Sequence, residues 1–145
     1  MDNNTIHITK VFDAPIEKVW DALTNPESLK QWKSPEGMTT PDAQVDLHVD
    51  GKYAITMAGE HAGPTGKVTV RGIYKQIVEP TKLVFTWQWE GQDEKTKITI
   101  ELKELSDTKT EMNFRHEGFT DNESRNSHRS GWNSTFEKLE TFLQM

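Results

Sequence analysis

The hydrophobic pattern of the chain changes period near residue 120, and that change constrains the fold more than any other feature. Upstream, apolar residues alternate with polar ones. Val45, Leu47 and Val49 do so in "AQVDLHVD", Tyr53, Ile55 and Met57 in "KYAITMA", and Val68, Val70, Gly72 and Tyr74 in "KVTVRGIYKQIV". Phe85, Trp87 and Trp89 in "KLVFTWQWEG", Ile98, Ile100 and Leu102 in "TKITIELKE", and Met112, Phe114 and His116 in "TEMNFRHEG" continue the series. Period two marks strands with one buried face. Asp50-Gly51, Glu79-Pro80, "GQDEK" and "SDTK" punctuate them, and "GEHAGPTG" reads as a loop, so an antiparallel meander is expected. Downstream, "DNESRNSHRSGWNSTFEKLETFLQM" spaces His128, Trp132, Phe136, Leu139 and Leu143 by three and four. That spacing predicts a long helix with one apolar stripe, capped by Thr120 or Asp121.

Before the meander, "TIHITKVF" reads as a first strand and "DAPIEKVWDALTN" as a helix. Asp13 or Ala14 would stand near its cap and Pro15 in its first turn, with Ile16, Val19, Trp20 and Leu23 on one face. Asn25-Pro26 repeats the cap-then-proline signal for a short helix, "PESLKQW", and Gly37 and Pro41 mark a following loop. The order is strand, two short helices, about six strands, long helix, in a single domain over 1–145. Only the last helix is long enough to cover a twisted six- or seven-stranded sheet. Gly72 lies on the inward parity and Gly131 sits inside the last helix, where small residues leave a gap between the two layers.

Composition narrows the partners. Seventeen Lys and Arg against 23 Asp and Glu give a net charge of −6, unlike a nucleic-acid surface. Cysteine is absent, which removes disulfides, thiolate nucleophiles and thiolate metal sites. No apolar run approaches the ~18 residues of a membrane span, and "MDNNTIHITK" is unlike a signal peptide, so a cytoplasmic location is expected. The Asn-x-Thr/Ser matches at Asn3, Asn122 and Asn133 are then chance. His-Glu-x-x-His, metal-ligand spacing, a Gly-x-Ser-x-Gly elbow and a phosphate loop are all missing, so no cofactor or metal is expected.

Five segments carry a resemblance: "FDAPIEKVWDALTNPESLKQW" (12–32), "VDLHVDGKY" (45–53), "GIYKQIVEPTKLVFTWQWEG" (72–91), "TEMNFRHEGF" (110–119) and "GWNSTFEKLETFL" (131–143). Together they resemble the Activator of Hsp90 ATPase homologue 1-like (AHSA1-type) family of the START/Bet v 1-like (SRPBCC) superfamily. The resemblance implies an α+β helix-grip fold: a curved antiparallel sheet wrapped around a long C-terminal helix, with two short helices after the first strand. It also implies a hydrophobic cavity between sheet and helix, which in the superfamily takes lipids, sterols, polyketides or hormones and in some members hosts cyclisation or dehydration. The family name implies an Hsp90-type chaperone as a possible partner. Where the family commonly has Asp-x-Arg-x-Gly-Gly, this chain has Asp46-Leu47-His48-Val49-Asp50-Gly51, so an anion-binding arginine is missing there.

The expected function is binding of a hydrophobic or aromatic small molecule. Trp87, Trp89, Phe114, His116, Trp132 and Phe136 would line the cavity, with Met57 and Tyr74 toward one side and Phe85 in the core. Gly131 would let backbone and ligand approach, His116 or Arg125 would orient a polar group, and His128 would stand near the rim. Arg125 and Arg129, four apart, could clamp an anion at the mouth, whereas His48 shares the solvent face with Asp46 and Asp50. Two other roles stay open: an enzyme of cyclase, dehydratase or hydrolase type using His116, and a co-chaperone or other protein-interaction module. The binding reading requires an internal void of at least ~100 Å³, against ~300 Å³ for typical ligand pockets.

Overall fold

The structure, a computed structural model, describes residues 4–60, 62 and 65–145. Asn3, His61 and the Gly63-Pro64 pair of the expected loop lie outside these residues. The described elements are β1 (Thr5–Phe12), α1 (Ile16–Thr24), α2 (Pro26–Trp32), β2 (Thr39–Val45), β3 (Lys52–Ala58), β4 (Lys67–Val78), β5 (Lys82–Trp89), β6 (Lys95–Ser106), β7 (Lys109–Glu117) and α3 (Asn122–Leu143). The seven strands form one antiparallel sheet in the order β1-β7-β6-β5-β4-β3-β2. Strands β2 to β7 follow as hairpins, and the α1–α2 connection carries the chain from one sheet edge, β1, to the other, β2. The sheet is curved, and α3 lies against its inner face.

Helix starts follow local chemistry. Asn25 accepts from the Glu27 N–H at 3.0 Å with Pro26 in the first turn of α2, and Asp121 accepts from the Ser124 N–H at 2.7 Å at the start of α3. At α1 the expectation shifts: Pro15 itself is the N-cap and no side chain caps the helix. A second correction falls on β2, expected over 43–50. It begins at Thr39, includes Pro41 and ends at Val45, leaving Leu47 and Val49 exposed. Pro41 is tolerated because β2 is an edge strand with a register shift between Thr39 and Asp42. The hairpin at Asp50-Gly51 is a wider turn, closed by Asp46 N–H to Lys52 O at 3.0 Å, with Asp50 at φ 70°.

Cross-strand register lines up the core. Ile98 faces His116 and Phe85, Ile100 faces Phe114 and Leu83, and Leu102 faces Met112. Helix α3 contributes Trp132, Phe136, Leu139 and Leu143 to the same buried cluster. Gly72 does not open a gap, contrary to expectation. A Cβ there would fall 2.6 Å from Tyr53 Cε1 and 1.9 Å from Thr86 O. The Tyr53 ring covers the glycine and its hydroxyl donates to Thr86 O, so this part of the sheet is filled from β3.

Candidate functional site

Trp87 and Trp89 stand two residues apart near the end of β5, and Trp132 reaches them from α3. The Trp87 ring lies 5.0 Å from Trp132 and 5.5 Å from Trp89. With Lys33, Pro35, Met57, Ser127, His128, Gly131 and Thr135, these three indoles line a cavity of about 230 Å³ that opens to solvent. It shares Pro35, Met57, Trp89, Ser127 and His128 with a wider groove of about 740 Å³, which also touches Met38, Val68, Asp121 and Glu123. Gly131 is the weak point of the wall. A Cβ there would meet only Pro35 Cγ, at 3.8 Å.

Two hydrogen-bond chains hold the indoles in place. Trp132 Nε1–H donates to His116 Nδ1 at 3.0 Å, and His116 Nε2 lies 2.6 Å from Thr96 Oγ1. Thr96 Oγ1 donates to Trp87 O at 3.1 Å. The acceptor role of Nδ1 leaves the proton on Nε2, so every group in the chain is satisfied with His116 neutral. Burial, with repulsion from His128 and Lys33, holds the His116 pKa down to about 2. In the second chain Trp89 Nε1–H donates to His128 Nε2 at 3.0 Å, and His128 Nδ1 donates to Ser124 O at 2.8 Å. Trp87 differs: its indole nitrogen is buried with no hydrogen-bond partner among the described residues.

Lys33 is the residue the sequence reading passed over. It follows α2 directly and is only 5% exposed. Its Nζ lies 4.0 Å from the Trp132 ring centroid, 5.2 Å from Trp87 and 5.4 Å from Trp32. Burial pushes its pKa from 10.5 down to about 7. The loop that carries it is fastened by α3: Lys138 Nζ donates to Ser34 Oγ at 2.8 Å and to Met38 O at 2.9 Å, and the Glu36 N–H donates to Ser134 Oγ. A signal for Lys33 existed. It falls four residues after Leu29, so it continues the buried Leu29 and Trp32 face of the short helix.

The expected site residues divide. Met57, Trp87, Trp89, His128, Gly131 and Trp132 line the cavity. Tyr74, Phe114, His116 and Phe136 do not; they are core. Tyr74 packs with Tyr53 and Phe85, 5.5 Å and 5.9 Å between centroids, and Phe114 and Phe136 back the Trp132 ring at 4.7 Å and 5.3 Å. His116 is fully buried behind Trp132 and positions it rather than facing the cavity. Arg125 bonds the Asn126 side chain, 3.1 Å from its Nη2, outside the cavity wall, and Arg129 is exposed. His48 and Asp46 do meet, at 2.8 Å, but in the exposed turn after β2. Lys33, Pro35, Ser127 and Thr135 are lining residues that alternation could not reveal. Among the described residues, no group of three or more His, Asp or Glu could hold a metal ion, and no helix is long and apolar enough to cross a membrane.

This geometry can be set beside known proteins. The model of the family described as Activator of Hsp90 ATPase homolog 1-like protein matches residues 13–144. The chain belongs to this family. AHSA1-like proteins are members of the SRPBCC superfamily, and the seven-stranded curved sheet with its C-terminal helix is their helix-grip architecture. Among solved structures, an AHSA1 protein from Silicibacter pomeroyi superposes with a TM-score of 0.84 at 20% identity, covering 97% of each chain. A protein from Chromobacterium violaceum gives 0.83 at 25% identity, covering 98% of each. A structure described as an Hsp90 activator from Plasmodium falciparum gives 0.76 at 20% identity, over 97% of this AHSA1-like chain and 96% of that one. No curated protein matches the chain.

Proposed function

We propose that this protein is a small-molecule binding protein that holds a hydrophobic or aromatic ligand in the cavity between β5 and α3. The observation that carries the reading is a largely apolar pocket of about 230 Å³ walled by three tryptophans. An apolar occupant would release the water that such an apolar wall orders, which favours binding. The adjoining groove supplies a route in from solvent. Absence of cysteine agrees with a cytoplasmic setting.

A leucine at position 131 would project toward Pro35 and into the cavity while improving helix propensity. Native mass spectrometry of the protein purified from its own host is expected to show a bound small molecule on the wild type. Gly131→Leu should lose it with an unchanged far-ultraviolet circular dichroism spectrum. Equal loading of both proteins, or a wild type that carries nothing and takes up no small aromatic compound, would refute the reading.

Catalysis has less support. Both nitrogens of His116 and of His128 are engaged, and among the described residues no carboxylate lines the cavity. A chaperone-partner role is raised by the family description and the Plasmodium neighbour. Pull-down and ATPase assays with the host's Hsp90 test it, and no binding or stimulation would dispose of it.

A further inference from the structure

The cavity wall is largely apolar, and the ammonium of Lys33 stands in it. Lys33 faces three indole rings, is only 5% exposed and makes no ion pair or hydrogen bond among the described residues. Buried polar groups are nearly always satisfied, and an exception in a cavity wall points to what is bound there. We propose that the ligand carries a carboxylate, held by Lys33 Nζ. The inference rests on the reading of the cavity as a ligand site and names the ligand's chemical class.

A carboxylate supplies what the site lacks: a counter-charge for the ammonium and lone pairs for its N–H donors. A cationic ligand would meet Lys33 already occupying the aromatic cage, and a neutral alcohol would bring one weak acceptor and no charge. The surrounding charges leave the pairing uncontested. Both ring nitrogens of His116 and of His128, from β7 and α3, are already engaged by other groups. Lys138 is turned to the back of the 34–38 loop, with Glu36 beside it, and Asp121 and Glu123 line only the outer groove. At about 230 Å³ the space is below the ~300 Å³ of drug-sized pockets, so a single ring with a short acid chain is the expected size.

The test is calorimetric titration of the full chain with 4-phenylbutyrate and with its uncharged analogue, 4-phenyl-1-butanol, at pH 6.5 and 8.5. Wild type is expected to favour the acid by about 10- to 100-fold at pH 6.5, and Lys33→Met to erase that preference while changing alcohol affinity less than about threefold. Free Lys33 loses its proton near pH 7, so acid affinity should fall by about 10- to 30-fold at pH 8.5. Binding there should take up nearly one proton, read from buffers of different ionisation enthalpy. Equal affinity for acid and alcohol, or an acid affinity independent of pH, overturns the carboxylate assignment and leaves the cavity reading standing. Failure of both ligands to bind overturns both. If Lys33→Met does not fold, the wild-type pH dependence and proton uptake decide alone.

Discussion

Lys33→Met is expected to stabilise the folded protein at pH 7 by about 2–4 kcal/mol, seen as a higher urea midpoint with an unchanged slope. In the unfolded chain the amine titrates near its ordinary 10.5; in the folded protein burial lowers this to about 7. That difference corresponds to a folding cost on the order of 4 kcal/mol, part of which the three indole faces return through cation–π attraction. The sign follows from proton counting. Between about pH 7 and 10.5 the unfolded chain binds more protons, so wild-type stability rises with pH across that window. The advantage of methionine is therefore largest at and below pH 7 and shrinks as the pH approaches 10. A methionine variant that is less stable at pH 7, or a difference that grows with pH, would show that Lys33 is paired or solvated in solution. A lysine retained at such a cost has a use outside folding, as expected where a binding site trades stability for function.

Trp132→Ala should be the most damaging single change at the site, about 3–5 kcal/mol of lost stability. The indole stacks on Phe136, packs on Phe114 and Trp87, and donates to His116. Removing it enlarges the existing cavity and orphans His116 Nδ1 inside the core. Trp132→Phe separates the two contributions. It keeps a ring but not the donor, so a loss of about 1–3 kcal/mol isolates the buried acceptor left without a partner. The His116 ring should then report the change in its nitrogen chemical shifts. If alanine and phenylalanine cost the same small amount, Trp132 is not the keystone between helix and sheet.

Much of this architecture could be read from residue periodicity, because period two and period 3.6 are imposed by backbone geometry. β1, β3 and β4 were legible to the residue, and the common parity of Phe85, Trp87 and Trp89 put them on the inner face, where the first two are buried and Trp89 is half-buried. Parity could not say which inward residues face space and which face neighbours. Tyr74 and His116 share the inward parity of lining residues, yet Tyr53 and Trp132 cover them. Gly72 misled for the same reason: a glycine removes a side chain, and whether the room is filled depends on Tyr53 from the next strand. Lys33 was hidden differently. A charged residue after a seven-residue helix is ordinarily solvated, and only Trp87 from β5 and Trp132 from α3, brought together by the fold, cover it.

The most direct test of the central claim is a ¹H–¹⁵N spectrum of the five tryptophan indole groups during titration with 4-phenylbutyrate and 4-phenyl-1-butanol. The cavity is bounded by Trp87, Trp89 and Trp132, whereas Trp20 lies on α1 and Trp32 Nε1 is tied to Ala22 O at 2.9 Å. A ligand in the cavity should move the three wall signals and leave Trp20 in place. No shift with either compound, or shifts that spare Trp87 and Trp132, would contradict the account.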